Sequence, residues 1–123
     1  MRHVSVLAAA AAVLTLTSGA WAAEVEVKLV NKGADGGVMV FEPAFLKIAP
    51  ADIVKFVATD KGHNVENIRG MLPEGVAQFV GKTEEDVAVK FDREGVYGVK
   101  CPPHYGICMV VMIVEGAPVN VRR

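Results

Sequence analysis

Short apolar runs broken at close intervals by turn residues leave this chain few architectures. Val25–Val30, Val38–Ile48, Ile53–Ala58, Val87–Phe91, Val96–Lys100 and Met109–Val114 are rich in Val, Ile, Phe and Met, and none sustains a helical period. In Glu24-Val-Glu-Val-Lys-Leu29 every second residue is apolar, as a strand with one buried face requires. Gly33-Ala-Asp-Gly-Gly37, Pro50-Ala-Asp52, Asp60-Lys-Gly62 and Arg93-Glu-Gly95 supply turns between the runs. The expectation is an all-β sandwich or barrel. The stretch Met71–Val80 is less regular and reads as a short helix or a surface loop. No internal repeat, low-complexity tract or linker is visible.

The chain opens differently. Arg2 and His3 precede an apolar run from about Val4 to Leu16, followed by Ser18-Gly-Ala-Trp-Ala22 with its small residues. That is the pattern of a secretory signal cleaved after Ala22, and roughly a dozen apolar residues fall short of the ~20 that span a bilayer. The expected division is a signal peptide over residues 1–22 and one domain over residues 23–123. Without the leader, 12 basic residues face 14 acidic ones. So slight an excess gives no reason to expect nucleic acid as a partner, or a membrane once the leader is gone.

The chemistry concentrates near the end of the sequence. Cys101, His104 and Met109 fall within nine residues of one another, in Cys101-Pro-Pro-His-Tyr-Gly-Ile-Cys-Met109, and His63 lies upstream in Gly62-His-Asn64. A thiolate and two imidazoles with a weak axial thioether form the ligand group of a blue copper site, where soft sulfur favours copper over oxygen-seeking cations. Two cysteines in an exported protein also suggest a Cys101–Cys108 disulfide. A disulfide has no need of a histidine and a methionine at these spacings, and the joint pattern favours one copper ion.

Longer strings around these residues resemble the cupredoxins, and among them the pseudoazurin family. They are Asn31-Lys-Gly33, Met39-Val-Phe-Glu-Pro-Ala44, Thr59-Asp-Lys-Gly-His-Asn-Val-Glu66, Gly70-Met71, Pro73, Gly95-Val-Tyr-Gly-Val-Lys-Cys101 and Pro103-His-Tyr-Gly106. The resemblance implies a Greek-key β-sandwich of about eight strands, with a type 1 copper at one end held by His63, Cys101, His104 and Met109. It implies a periplasmic, monomeric redox shuttle whose partners are a copper nitrite reductase, c-type cytochromes or other small redox proteins. One edge of His104 would carry the electron through an apolar patch, with Met39 near the ring and Pro103, Gly62 and Ile107 around it. Lys32, Lys61, Arg69, Lys82 and Lys100 would ring that exit and steer an acidic partner.

Three positions depart from the family pattern. Pro102 stands where a hydroxyl residue usually follows the cysteine, and proline offers neither hydroxyl nor N–H. The side-chain tie that the family makes from Asn64 to this loop is therefore not expected. Cys108 replaces a glycine and reads first as a small buried apolar residue, second as a disulfide partner or a rival to Met109. The sequence reaches Arg123 where the family pattern continues into two helices.

Other functions fit less well. Cys101 lacks flanking histidines, so no covalent route leads to an oxygen-reducing copper cluster, and the chain lacks that cluster's remaining ligands. Cys101 and His104 share a tight loop without an evident oxyanion arrangement, a poor nucleophile and base pair. Methionine is an unsuitable zinc ligand, and the haem-attachment motif is missing. The expectation is an electron carrier rather than an enzyme, with a copper-carrying or metal-free, disulfide-stapled binding module of the same fold as the alternative.

Overall fold

Alternation in the first strand sets how the sheets face each other. Strand β1 (Glu24–Lys32) buries Val27 and Leu29 and leaves Glu26 and Lys28 to solvent, so one face of its sheet is apolar. The computed structural model describes residues 23–122, and the expected leader lies outside them. The other strands are β2 (Val38–Glu42), β3 (Phe45–Ile48), β4 (Ile53–Ala58), β5 (Glu66–Asn67), β6 (Val87–Lys90), β7 (Gly95–Lys100) and β8 (Val110–Glu115). One four-stranded sheet has the order β2-β1-β4-β6 and the other β3-β8-β7-β5. The all-β sandwich of about eight strands is therefore what the chain forms. Among the described residues no helix is long and apolar enough to cross a membrane.

The run Val38–Ile48, read as one strand, is two. Pro43 has no N–H to give a ladder, and the chain leaves one sheet there and enters the other. Hence β2 pairs antiparallel with β1 while β3 pairs parallel with β8. The parallel pairing of β1 with β4 closes the first sheet around its centre.

Between the sheets lie Val27, Leu29, Phe41, Val54 and Phe56 from one side and Tyr97, Val99, Val111 and Ile113 from the other, with Val65 and Phe91. Phe41 meets Phe56 edge-to-face at 6.2 Å between centroids, and Phe91 meets Tyr97 at 4.6 Å. Burying each such ring contributes roughly 1.5–3 kcal/mol, and the perpendicular geometry sets positive ring edges against negative faces.

Met71–Val80 is a loop with no helix. Phe79 is held from outside the segment: Asn67 N–H donates to Phe79 O at 3.1 Å, and the Asn67 side-chain oxygen accepts from Phe79 N–H at 2.7 Å. The loop lies across β7 because position 98 is glycine. A Cβ there would sit 2.8 Å from Met71 Cε.

β1 and β4 run parallel, and β7 descends from this same end while β8 returns to it, so the sandwich has two chemically different poles. At one are the ends of β4 and β7 and the start of β8. At the other, Glu115 opposes Gly95 and Ile48, and its side chain is buried with one carboxylate oxygen lacking a hydrogen-bond partner. Burial, followed by repulsion from Asp92, Asp52 and Glu94, raises its pKa. A carboxyl whose pKa is raised on folding costs no stability below its unfolded value. Its penalty then grows as pH climbs from there to the raised folded value. Replacing Glu115→Gln should therefore leave thermal stability near pH 4 little changed and raise it increasingly toward neutral pH. Melting temperatures of both proteins across that range check this, and parallel curves would contradict it.

Candidate metal centre

The inward-facing rows of β7 and β8 simply continue past the strand ends. Tyr97, Val99 and Cys101 alternate on the buried side, as do Met109, Val111 and Ile113. Both sulfur atoms thus cap the core, with Cys101 at 0% and Met109 at 1% exposure. Cys101 N–H donates to Met109 O at 3.0 Å, which extends the antiparallel ladder one pair beyond Lys100↔Val110.

The intervening residues form a 3₁₀ turn, Pro102–Ile107. Proline suits its first positions, where backbone N–H groups have no partner within the turn. His104 N–H donates to Cys101 O at 3.0 Å, and this turns the imidazole back over the sulfur. His104 Nδ1 lies 3.4 Å from Cys101 Sγ, and His63 Nδ1 lies 3.7 Å from it. Ligand atoms of His63, Cys101 and His104 all fall within 4.8 Å of one another, a group able to hold a metal ion. Bonds of about 2.0–2.3 Å to a trigonal ion would set a nitrogen and a sulfur about 3.7 Å apart, close to both of these sulfur–nitrogen distances.

His63 is fully buried in the loop after β4, and its orientation is set from β1. Its Nε2 lies 2.8 Å from the Asn31 side-chain oxygen, which fixes the proton on Nε2 and turns the Nδ1 lone pair toward Cys101. Asn31 is held in turn, its N–H donating to Asp60 Oδ2 at 2.7 Å. Burial lowers the His63 pKa, as does the nearby His104, against a smaller opposing pull from Asp60. The neutral ring is the form that binds metal. Asn31 stands in one of the strings that carry the family resemblance, yet nothing local marks it as the partner of a residue 32 positions away.

Asn64 does not reach the cysteine loop. Its side-chain oxygen accepts from the adjacent Val65 N–H at 2.8 Å. The two ligand loops are tied instead by the backbone: β5 pairs with the end of β7, Glu66 opposite Lys100 and Asn67 opposite Val99. Lys100 Nζ adds a 3.7 Å contact to Glu66 and lies 4.8 Å from the Tyr105 ring centroid.

Cys108 is exposed, which corrects the expectation of a small buried residue. The cause is its place at the end of the 3₁₀ turn, at φ 66° and ψ 34°, with its N–H turned back to Tyr105 O at 3.0 Å. That left-handed conformation suits glycine, and it swings the thiol outward. Both cysteines are free, so the Cys101–Cys108 disulfide is not formed. Met39 is half-buried at the start of β2 and packs against the core, while Pro103, Tyr105 and Ile107 are exposed around the half-buried His104.

Comparison with known proteins agrees with this geometry. The family model described as copper binding proteins, plastocyanin/azurin family, matches residues 27–115. A pseudoazurin of Paracoccus pantotrophus is 50% identical over 98% of this chain and 83% of its own length. One from Methylorubrum extorquens is 47% identical over 94% of this chain and 77% of its own. The crystal structure of native pseudoazurin from Hyphomicrobium denitrificans superposes with a TM-score of 0.77 at 48% identity, covering 80% of this chain and 79% of that one.

Two substitutions separate the roles of these residues. Asn31→Leu should weaken copper binding about 10- to 100-fold by freeing the His63 ring, as measured by competition with a chelator of known affinity. Cys108→Gly should raise stability by about 1 kcal/mol by relieving the left-handed strain and leave the thiolate-to-copper absorption unchanged. Thermal melts and visible spectra of the loaded protein check both effects.

Proposed function

Because this chain belongs to the plastocyanin/azurin family of copper-binding proteins and is a copper electron carrier of the pseudoazurin type, we propose that it shuttles single electrons in the periplasm. The ligands are His63, Cys101, His104 and Met109, with residues 1–22 acting as the export leader. The observation that carries this reading is the convergence of the three donor atoms within 4.8 Å at one pole of a rigid sandwich. Copper held there supplies one-electron chemistry by alternating between its +1 and +2 states.

The protein's own residues make that alternation easy. Asn31 holds the His63 ring and the Cys101–Met109 hydrogen bond holds both sulfur positions. Donors fixed by the fold need not move when the charge on the metal changes. Buried Cys101 and His63 lie away from bulk water, whereas His104 is partly open to it. That ring is accordingly the route out. Around it Tyr105 is 45% and Ile107 61% exposed, an apolar rim on which a partner can sit without displacing tightly held water. Lys32, Lys61, Arg69 and Lys82 are exposed, and Lys100 is half-buried. Their charge would bring an acidic partner into brief encounters whose rate falls with salt. Partners of this description are a copper nitrite reductase or a c-type cytochrome, each met by a monomer of this protein.

The test is rapid mixing of the reduced, copper-loaded protein with an oxidised copper nitrite reductase. Appearance of the thiolate-to-copper band as the enzyme is reduced, at a rate falling steeply with ionic strength, is the expected result. A Cys101→Ser control should lack the band. A loaded protein without that band would contradict the carrier function, and a slow, salt-independent reaction would contradict the choice of partner.

A further inference from the structure

At the pole opposite the metal centre, the buried Asp52 accepts two backbone hydrogen bonds. Its Oδ1 accepts from Ala23 N–H at 2.9 Å and its Oδ2 from Ala49 N–H at 2.9 Å, and the residue is 7% exposed. Ala23 is pinned from its other side as well, its carbonyl accepting from Ile53 N–H at 2.9 Å. The nitrogen of Ala23 therefore has a fixed place against a carboxylate. Ala23 is also the first residue left when a leader ending in Ala20-Trp-Ala22 is removed.

The electrostatics of this pole call for a positive charge at that nitrogen. Asp52, Asp92 and Glu94 all act on the buried Glu115 through repulsion. The cations near them are otherwise engaged or exposed: Lys90 lies 3.8 Å from Asp92 at the surface, Arg93 donates to Glu74 O at 2.8 Å, and Lys47 is exposed on β3. Among the described residues no lysine, arginine or histidine forms an ion pair with Asp52.

We propose that removal of the leader after Ala22 turns the Ala23 nitrogen into an α-ammonium paired with buried Asp52, so that processing itself locks β1 onto the Ala49–Asp52 turn. The inference rests on the leader reading above. Hydrolysis of the Ala22–Ala23 bond consumes one water and yields a carboxylate on the departing leader and an ammonium on Ala23, with no other reactant. Before cleavage a neutral amide N–H donates to the Asp52 carboxylate; afterwards the donor carries charge as well, and the direct attraction of an ammonium for a carboxylate is added to the hydrogen bond. The precursor is then the less firmly folded form, as suits a chain that must cross a membrane before it folds.

The experiment reads stability without metal, so its outcome is independent of the copper function. The exported protein is purified and its first residue is found by intact mass. Its urea denaturation is compared with that of the same chain carrying Gly-Ser ahead of Ala23, each with and without Asp52→Asn. The extension should lower the folded-to-unfolded ratio about tenfold when Asp52 is present and leave it unchanged in the Asp52→Asn background. Equal losses in both backgrounds, or none in either, would overturn the ion pair. Should Asp52→Asn fail to fold, acetylation of the α-amine in the unaltered protein decides. It should be at least about tenfold slower in the folded than in the unfolded chain, and equal rates overturn the proposal. An exported protein beginning at another residue overturns the leader reading and the proposal together.

Discussion

The hydrogen bond from Cys101 N–H to Met109 O is the constraint on which the metal pole depends. It adds one rung to the β7–β8 ladder and so fixes the two ends of the ligand loop at strand-pair spacing. Alternation then points both sulfurs into the top of the core, beside residues that are themselves buried. The short loop that remains can close only as a tight turn. Two prolines and the His104 N–H bond to Cys101 O make that turn 3₁₀, and the imidazole falls 3.4 Å from the sulfur as a result.

His63 enters from the other sheet, and its placement relies on non-local contacts. Asn31 on β1 orients the ring, Asp60 orients Asn31, and the short β5–β7 pairing ties the His63 loop to the strand that delivers Cys101. One imidazole is thus built from the β1–β4 sheet and the other from the β7–β8 loop, so the donor set spans the sandwich interface. Membership of the plastocyanin/azurin family rests on the sequence match, and this arrangement agrees with it. At the far pole the same sandwich gathers acids, where Asp52 anchors backbone and Glu115 lies buried. The fold keeps its buried carboxyls and its metal donors apart.

Much of this was legible in the sequence because its causes are local. Strict alternation in Glu24–Leu29 announced β1, and Ile53–Ala58 was bounded by turn residues on both sides; it is β4 without change. Cys101, His104 and Met109 stood out because one loop carries all three. What escaped was non-local or set by backbone conformation. β5 is two residues long and exists only because β7 offers an edge. The division of Val38–Ile48 turns on a single proline that changes sheets. Asn31 looks like an ordinary turn-flanking residue until folding brings it to His63. The exposure of Cys108 follows from a left-handed φ that its composition does not reveal.

The central claim is that the folded chain holds the metal donors in place before copper arrives and through its change of charge. High-resolution crystal structures of the metal-free, Cu(I) and Cu(II) forms test it most directly. The account predicts that His63 Nδ1, Cys101 Sγ and His104 Nδ1 superpose within about 0.5 Å in all three. A metal-free form with the Cys101–Met109 loop opened, or a His63 ring turned away from Asn31, would contradict it.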